Sequence, residues 1–133
     1  MVEDSKTDVF LMREALENAQ IDAEIDVVHD GEKAIEYIDA ADANDSAPCP
    51  DLVLLDMNLP KRSGDEVLKH LRRGRRCKYA KVLVVSSSDA PRDRAAVEMF
   101  GVAGYFKKPS NYADFMKLGP TVKELLETCK RPE

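Results

Sequence analysis

The sequence predicts an α/β fold in which a parallel sheet is covered by helices on both faces. Two observations carry that reading. Leu52-Val53-Leu54-Leu55 and Val82-Leu83-Val84-Val85 are unbroken apolar runs without polar alternation, the pattern of strands buried on both sides. Strand-like and helix-like segments also alternate five times, which requires right-handed crossovers and helices above and below the sheet. At 133 residues the chain suffices for one domain with a substantial core.

Taken in order, Met1-Val2 is a short apolar start running into Glu3-Asp4. Val9, Met12, Leu16 and Ala19 then repeat at helical spacing, widened by Phe10, Leu11 and Ala15, and predict a first helix over about 6–19. Ile25, Val27 and Val28 predict a short strand, and Asp30-Gly31 a turn into a second helix containing Ala34, Ile35 and Ile38. Residues 42–50, rich in Asp, Asn, Ser and Pro, read as a loop. The strand that follows ends on Asp56, at the sheet edge where ligands of parallel sheets gather, and is expected to present it to solvent. By itself such an aspartate is either a turn former or a nucleophile or metal ligand.

After Pro60, Gly64 opens a third helix with Val67, Leu68 and Leu71 on its apolar side. The second apolar run closes on Ser86, Pro91 suits the first turn of a fourth helix, and Gly101 its C-terminal cap. Gly104–Lys107 makes a last strand, followed by the Lys108-Pro109 turn. A fifth helix is expected over 112–128, kinked or broken near Gly119-Pro120, where proline removes a donor and disfavours helical geometry before it. The alternation as a whole is that of a flavodoxin-like sandwich.

If the strands are parallel, Glu3, Asp4, Asp56, Ser86 and Lys108 converge at one edge. Three neighbouring carboxylates repel unless a cation sits among them, and hard oxygen donors favour Mg²⁺. The Ser86 hydroxyl and Lys108 ammonium suit the oxygens of a phosphoryl group on Asp56. Together these groups point to phosphoryl transfer onto aspartate.

At these residues the sequence resembles the receiver domain of two-component response regulators, and in particular the single-domain regulators associated with bacterial and cyanobacterial phytochromes. The likeness is carried by Val2-Glu3-Asp4-Ser5, Asp30-Gly31, the stretch from Pro50 through Asp56 to Pro60, Gly64, Val84-Val85-Ser86-Ser87-Ser88, and Gly104-Tyr105 through Lys108-Pro109. It implies one receiver domain over 1–133 without an output domain, built as a (βα)5 three-layer sandwich with strand order 2-1-3-4-5. It implies that Asp56 is the phosphoacceptor, phosphorylated from the phosphohistidine of a sensor histidine kinase. Asp4, Asp56 and the backbone carbonyl of Asn58 would hold Mg²⁺, with Glu3 acting through a water. Lys108 would pair with phosphoryl oxygens, Ser86 would be the switch hydroxyl and Tyr105 the aromatic that turns inward, biased by an added charge of about −1.5 to −2. Asn58 and Ser88 fall where the family tunes phosphoaspartate lifetime.

The pattern is departed from at three places. Only Met1 and Val2 precede the acid pair, whereas the family begins its first strand several residues earlier; a shortened first strand is expected, with the start truncated or assigned late or, if it is complete, with reduced stability. Glu3 stands where aspartate is more common, and Pro120 disturbs a helix on the face the family uses for partners. That face, comprising helix four, the Gly104–Lys107 strand and helix five, offers Met99, Phe100, Tyr105, Phe115 and Met116 as contact candidates, and the resemblance implies homodimerisation there.

Composition bounds the rest. A net charge of −5 argues against nucleic-acid binding, and no apolar run approaches a membrane span, so a cytoplasmic protein with protein partners is expected. Cys49, Cys77 and Cys129 are odd in number and scattered, and are expected to be reduced thiols. The basic run Arg72, Arg73, Arg75, Arg76 and Lys78 reads as a solvated helix end rather than a polyanion site, and His29 and His70 as surface residues. Two rival functions remain. A phosphatase with an aspartyl-phosphate intermediate would place a second acid two residues after the nucleophile, where Asn58 stands. A phosphorylation-independent scaffold of the same fold is the other.

Overall fold

Both apolar runs are strands, and they set the frame for everything else. The computed structural model of the protein describes residues 1–87 and 91–127. Strand β1 (Leu52–Leu55) pairs in parallel with β2 (Lys81–Ser86), and β2 in parallel with β3 (Gly104–Lys107). Because side chains alternate along a strand, each run feeds two cores. Val53, Leu55, Val82 and Val84 face one side, packed against α2 (Gly31–Ala43), α3 (Gly64–Arg72) and α4 (Pro91–Glu98) through Ala34, Ile38, Val67, Leu68, Leu71 and Val97. Leu54, Leu83 and Val85 face the other, against α1 (Lys6–Asn18), α5 (Tyr112–Phe115) and α6 (Leu118–Glu127) through Met12, Ala15, Leu16, Phe115, Leu118 and Val122. Each fully buried Val or Leu contributes about 1.5–3 kcal/mol, so both helical layers are tied to the same three strands.

On the β1 side the sheet is continued by single bridges rather than strands. Val2 bridges in parallel to both Val28 and Leu55, which places it between them. The pairing is carried by Val2 N–H to Leu54 O at 2.8 Å, Asp56 N–H to Val2 O at 3.0 Å, Glu3 N–H to Val28 O at 3.0 Å and Val28 N–H to Met1 O at 2.9 Å. The strand expected from Ile25 to Val28 therefore reduces to one paired residue. A strand persists only where a backbone pairs with it, and here Val28 bridges to Val2 while the Met1 amine donates to Asp26 O at 2.9 Å. A groove of about 1090 Å³, lined by Met1, Val2, Ile25, Leu52 and Leu126 among others, opens below the bridges.

Helix boundaries follow their caps. Ser5 Oγ accepts the Asp8 N–H, Asp30 that of Lys33, and Asn111 that of Asp114. Helix α2 runs to Ala43, slightly into the expected loop. The break in the last helix is observed, but at Met116-Lys117 rather than at Gly119. Leu118, Gly119 and Pro120 form the first turn of α6, where the N–H that proline lacks would have no partner in the helix. Gly119 is needed there for closeness, since a Cβ on it would sit 2.3 Å from Ala15 O of α1. Thr128 lies outside the described residues.

Two expectations about the surface are corrected. Cys49 and Cys77 form a disulfide across 28 residues, with their Cα atoms 5.3 Å apart. Their spacing conceals the pairing because the chain between them makes β1 and α3 and returns; Cys129 lies outside the described residues. The basic run is a solvated end only in part: Arg73 and Arg75 are exposed, but Arg72 and Arg76 are drawn into the surrounding loops. Arg72 donates from Nε to Phe100 O at 2.7 Å and from Nη1 to Lys78 O and Ala80 O at 2.9 and 2.7 Å. Arg76 donates to Ala41 O and Ala47 O, while Asp42 accepts the backbone N–H groups of Arg75, Arg76 and Cys77 and is held down to about 2 by them. Five donors in a rigid fork let an arginine satisfy several loop carbonyls at once, so these two staple loops.

Candidate functional site

The carboxyl ends of the strands converge as their parallel pairing requires. Asp56 follows the last residue of β1, Ser86 ends β2, and Lys108 follows β3 with its N–H donating to Ser86 O at 2.8 Å. Glu3 is held opposite Val28 by the backbone pairing described above. Asp56 is not presented to solvent as expected: it is 5% exposed, Ser86 is 0% and Glu3 1%. Asp4 is the exposed member of the acid set.

Lys108 is the hub. Its Nζ lies 2.6 Å from Glu3 Oε1, 2.8 Å from Asp8 Oδ2 and 3.3 Å from Asp56 Oδ2. Burial alone would lower its pKa, but the neighbouring Asp8 and Glu3 carboxylates and the charge of Asp56 outweigh that and hold the ammonium above its ordinary value. Glu3 responds in the opposite sense. Desolvation pushes its carboxyl up to about 7, Lys108 opposes the rise and Asp56 adds to it. The remaining contacts orient the loops: Glu3 Oε2 accepts Ser5 N–H and Asp56 Oδ1 accepts Asn58 N–H, each at 3.2 Å.

Oxygens of Glu3, Asp4 and Asp56 lie within 4.8 Å of one another. Glu3 Oε1, though close to Lys108, is buried outside hydrogen-bond geometry and without another donor. Three carboxylates with an orphaned buried oxygen make a hard donor set that fits a divalent cation.

Other sequence-derived candidates are more scattered. Tyr105, in β3, is half-buried against the α2–α4 core with the Arg94 guanidinium 5.0 Å from its ring centre. Asn58 is exposed, and Ser88 lies outside the described residues. Phe115 is no surface contact: it is 2% exposed and meets Phe106 edge-on at 6.2 Å. Its helix was expected to present it outward, but the break after it turns the ring into the α1–α6 core. Met99 is 78% exposed, with Phe100 and Met116 half-buried. Asp8 was missed by the sequence reading. An acid in the first turn of a helix serves the dipole wherever it occurs, and nothing local marks this one as a Lys108 ligand.

This fold and this edge belong to a known class of signalling domain. The response regulator receiver domain model matches residues 1–118, and the chain belongs to that family. Response regulator Rcp1 of Synechocystis sp. is 34% identical over 133 residues, covering 99% of this chain and 90% of that protein. Among solved structures, the Mn(2+)-bound form of Rcp1 superposes with a TM-score of 0.84 at 34% identity, covering 99% of this chain and 96% of that one. The phosphorylated cyanobacterial phytochrome response regulator RcpA gives 0.83 at 33% identity, covering 98% and 93%. The protein is thus a flavodoxin-like receiver of two-component signalling, similar to phytochrome-associated regulators. No helix among the described residues is long and apolar enough to cross a membrane.

Proposed function

We propose that the chain is a stand-alone, cytoplasmic phosphoacceptor switch, phosphorylated on Asp56 by a sensor histidine kinase. The observation that carries it is the convergence of Asp56, Glu3 and Lys108 within 3.3 Å contacts of one ammonium, beside buried Ser86. An Asp56 carboxylate oxygen attacks phosphorus, the P–N bond to the kinase imidazole breaks as the P–O bond forms, and the released imidazole takes its proton from water. Lys108 meets the charge gathering on the phosphoryl oxygens, and the Ser86 hydroxyl donates to one of them. Asp4, Asp56 and the Asn58 carbonyl would hold Mg²⁺, with Glu3 acting through a water, and the ion would supply charge neutralisation at the transferring group. Asp56, Lys108 and Ser86 thus assist a reaction on the chain itself, without turnover of a separate substrate.

The likeness to RcpA supports a phytochrome-type kinase as donor. The output is a protein contact on α4, β3 and the α5–α6 segment, where Met99, Phe100, Tyr105 and Met116 remain the candidates and Tyr105 the responding aromatic; a second copy of the chain is one such partner. The net charge of −5 supports protein rather than nucleic-acid partners.

The test is intact-protein mass spectrometry after acetyl phosphate and Mg²⁺, on wild type and Asp56→Asn. A labile phosphate adduct on wild type alone is expected. Folded wild type that takes no adduct would overturn the switch in favour of a scaffold.

A further inference from the structure

One contact at the site has no part in the transfer chemistry. Lys108 Nζ lies 2.8 Å from Asp8 Oδ2 and 3.3 Å from Asp56 Oδ2, so a residue of helix α1 holds the ammonium more closely than the phosphoacceptor does. The Asp8 carboxylate is fixed in place from its own backbone. Its N–H donates to the N-cap Ser5 Oγ at 3.2 Å, and Ser5 N–H is held in turn by Glu3 Oε2. The pair is partly desolvated, the side chains being 10% and 25% exposed. An ammonium has three donors; Asp8 and Asp56 accept from it and Glu3 Oε1 is packed 2.6 Å away, so the space around Nζ is filled at rest. A phosphoryl oxygen therefore gains Lys108 only by displacing one of them.

We propose that Asp8 is a positioning residue that competes with phosphorylated Asp56 for Lys108, so that the ammonium passes from helix α1 to the phosphoryl group and releases the first turn of α1. This deepens the phosphoacceptor reading and rests on it. Of the three partners, Glu3 is the most buried and keeps its contact, and Asp56 carries the new charge. Asp8 is the partner that water can reach and resolvate once the lysine leaves. A phosphoryl group adds about −1.5 to −2 charges and three acceptor oxygens, ample to draw the lysine. By linkage, whatever the Asp8 pair contributes at rest is subtracted from the phosphorylated state.

The experiment compares wild type, Asp8→Asn and Asp8→Glu for initial labelling by acetyl phosphate with Mg²⁺, and for amide hydrogen exchange at the start of α1 before and after labelling. Asp8→Asn is expected to label about two- to fivefold faster, the range set by a solvent-accessible ion pair, and Asp8→Glu like wild type. In wild type, phosphorylation should speed exchange at the start of α1; in Asp8→Asn exchange should already be fast and change no further. Labelled wild type with unchanged α1 exchange, or Asp8→Asn labelled no faster than wild type, would overturn the competition while leaving the phosphoacceptor intact. Folded wild type that takes no label would overturn both.

Discussion

Reducing the Cys49–Cys77 bridge should destabilise the protein by an amount that follows from the chain it closes. The two residues are 28 apart, and cross-linking a loop of that length lowers the entropy of the unfolded chain by about 12 cal/mol/K, or about 3.6 kcal/mol at 25 °C. Little offsets the loss. Cys77 is 1% exposed within the α2–α4 core, and its thiol would remain there as a small apolar group. With an unfolding entropy of about 2.1 cal/mol/K per residue over 133 residues, the midpoint should fall by about 13 °C. Thermal and urea unfolding with and without dithiothreitol measure this, alongside a Cys49→Ala/Cys77→Ala variant that should match the reduced protein. Alkylation without reductant should modify two fewer thiols than alkylation after reduction. Equal thiol counts, or a midpoint moved by less than about 3 °C, would refute the loop argument. Because disulfides seldom persist in a reducing cytosol, phosphorylation belongs in both assays; a labelling rate shared by the two states would place the bridge outside the switch.

Two further outcomes bear on the site itself. A Cβ at Gly64 would lie 2.5 Å from Asp56 O and 2.6 Å from Met57 Cα, so Gly64→Ala must displace the loop carrying the phosphoacceptor. It should lower stability by about 1–3 kcal/mol in urea unfolding and slow Asp56 labelling as well. Glu3 sets a pH dependence: its carboxyl titrates near 4.5 when unfolded and near 7 when folded, raised chiefly by burial. The unfolded chain loses that proton first, so stability should fall as pH rises through this window and level off above it. Urea midpoints across the window, compared with Glu3→Gln, isolate the effect; parallel profiles for the two proteins would count against it.

The elements legible in the sequence are those whose pattern has one physical cause. A run such as Leu52 to Leu55 has no polar alternation because both faces are covered, and that coverage also fixes the parallel sheet and the edge where Asp56 emerges. What stayed hidden depends on partners distant in the chain. Arg72 and Arg76 have the same composition as a solvated basic run, and only the loop carbonyls folded around them make them staples. Asp56 read as exposed because sequence places it at an edge without saying how deeply that edge is buried. The Ile25 to Val28 segment has the residues of a strand, but a ladder requires a second backbone alongside, and of these residues only Val28 forms a bridge to one.

That last point reaches the site. Glu3 and Asp4 are held by the short pairing of Met1 to Glu3, by Ser5 N–H on Glu3 Oε2 and by the start of α1, while Asp56, Ser86 and Lys108 ride on regular strands. The acid pair is therefore the least supported part of the constellation, and its most direct link to the rest is the Lys108 ammonium. A ligand that engages Glu3 or Asp4 together with Asp56 would bridge the same two parts, and by linkage would stabilise the Val2 flank along with the site. Hydrogen exchange at Val28 and Asp56, whose N–H groups bond Met1 and Val2, should thus slow on adding divalent cation more than exchange at β2 does. Equal slowing throughout would mean that the flank and the strands open as one unit and that the single bridges hold as firmly as the sheet.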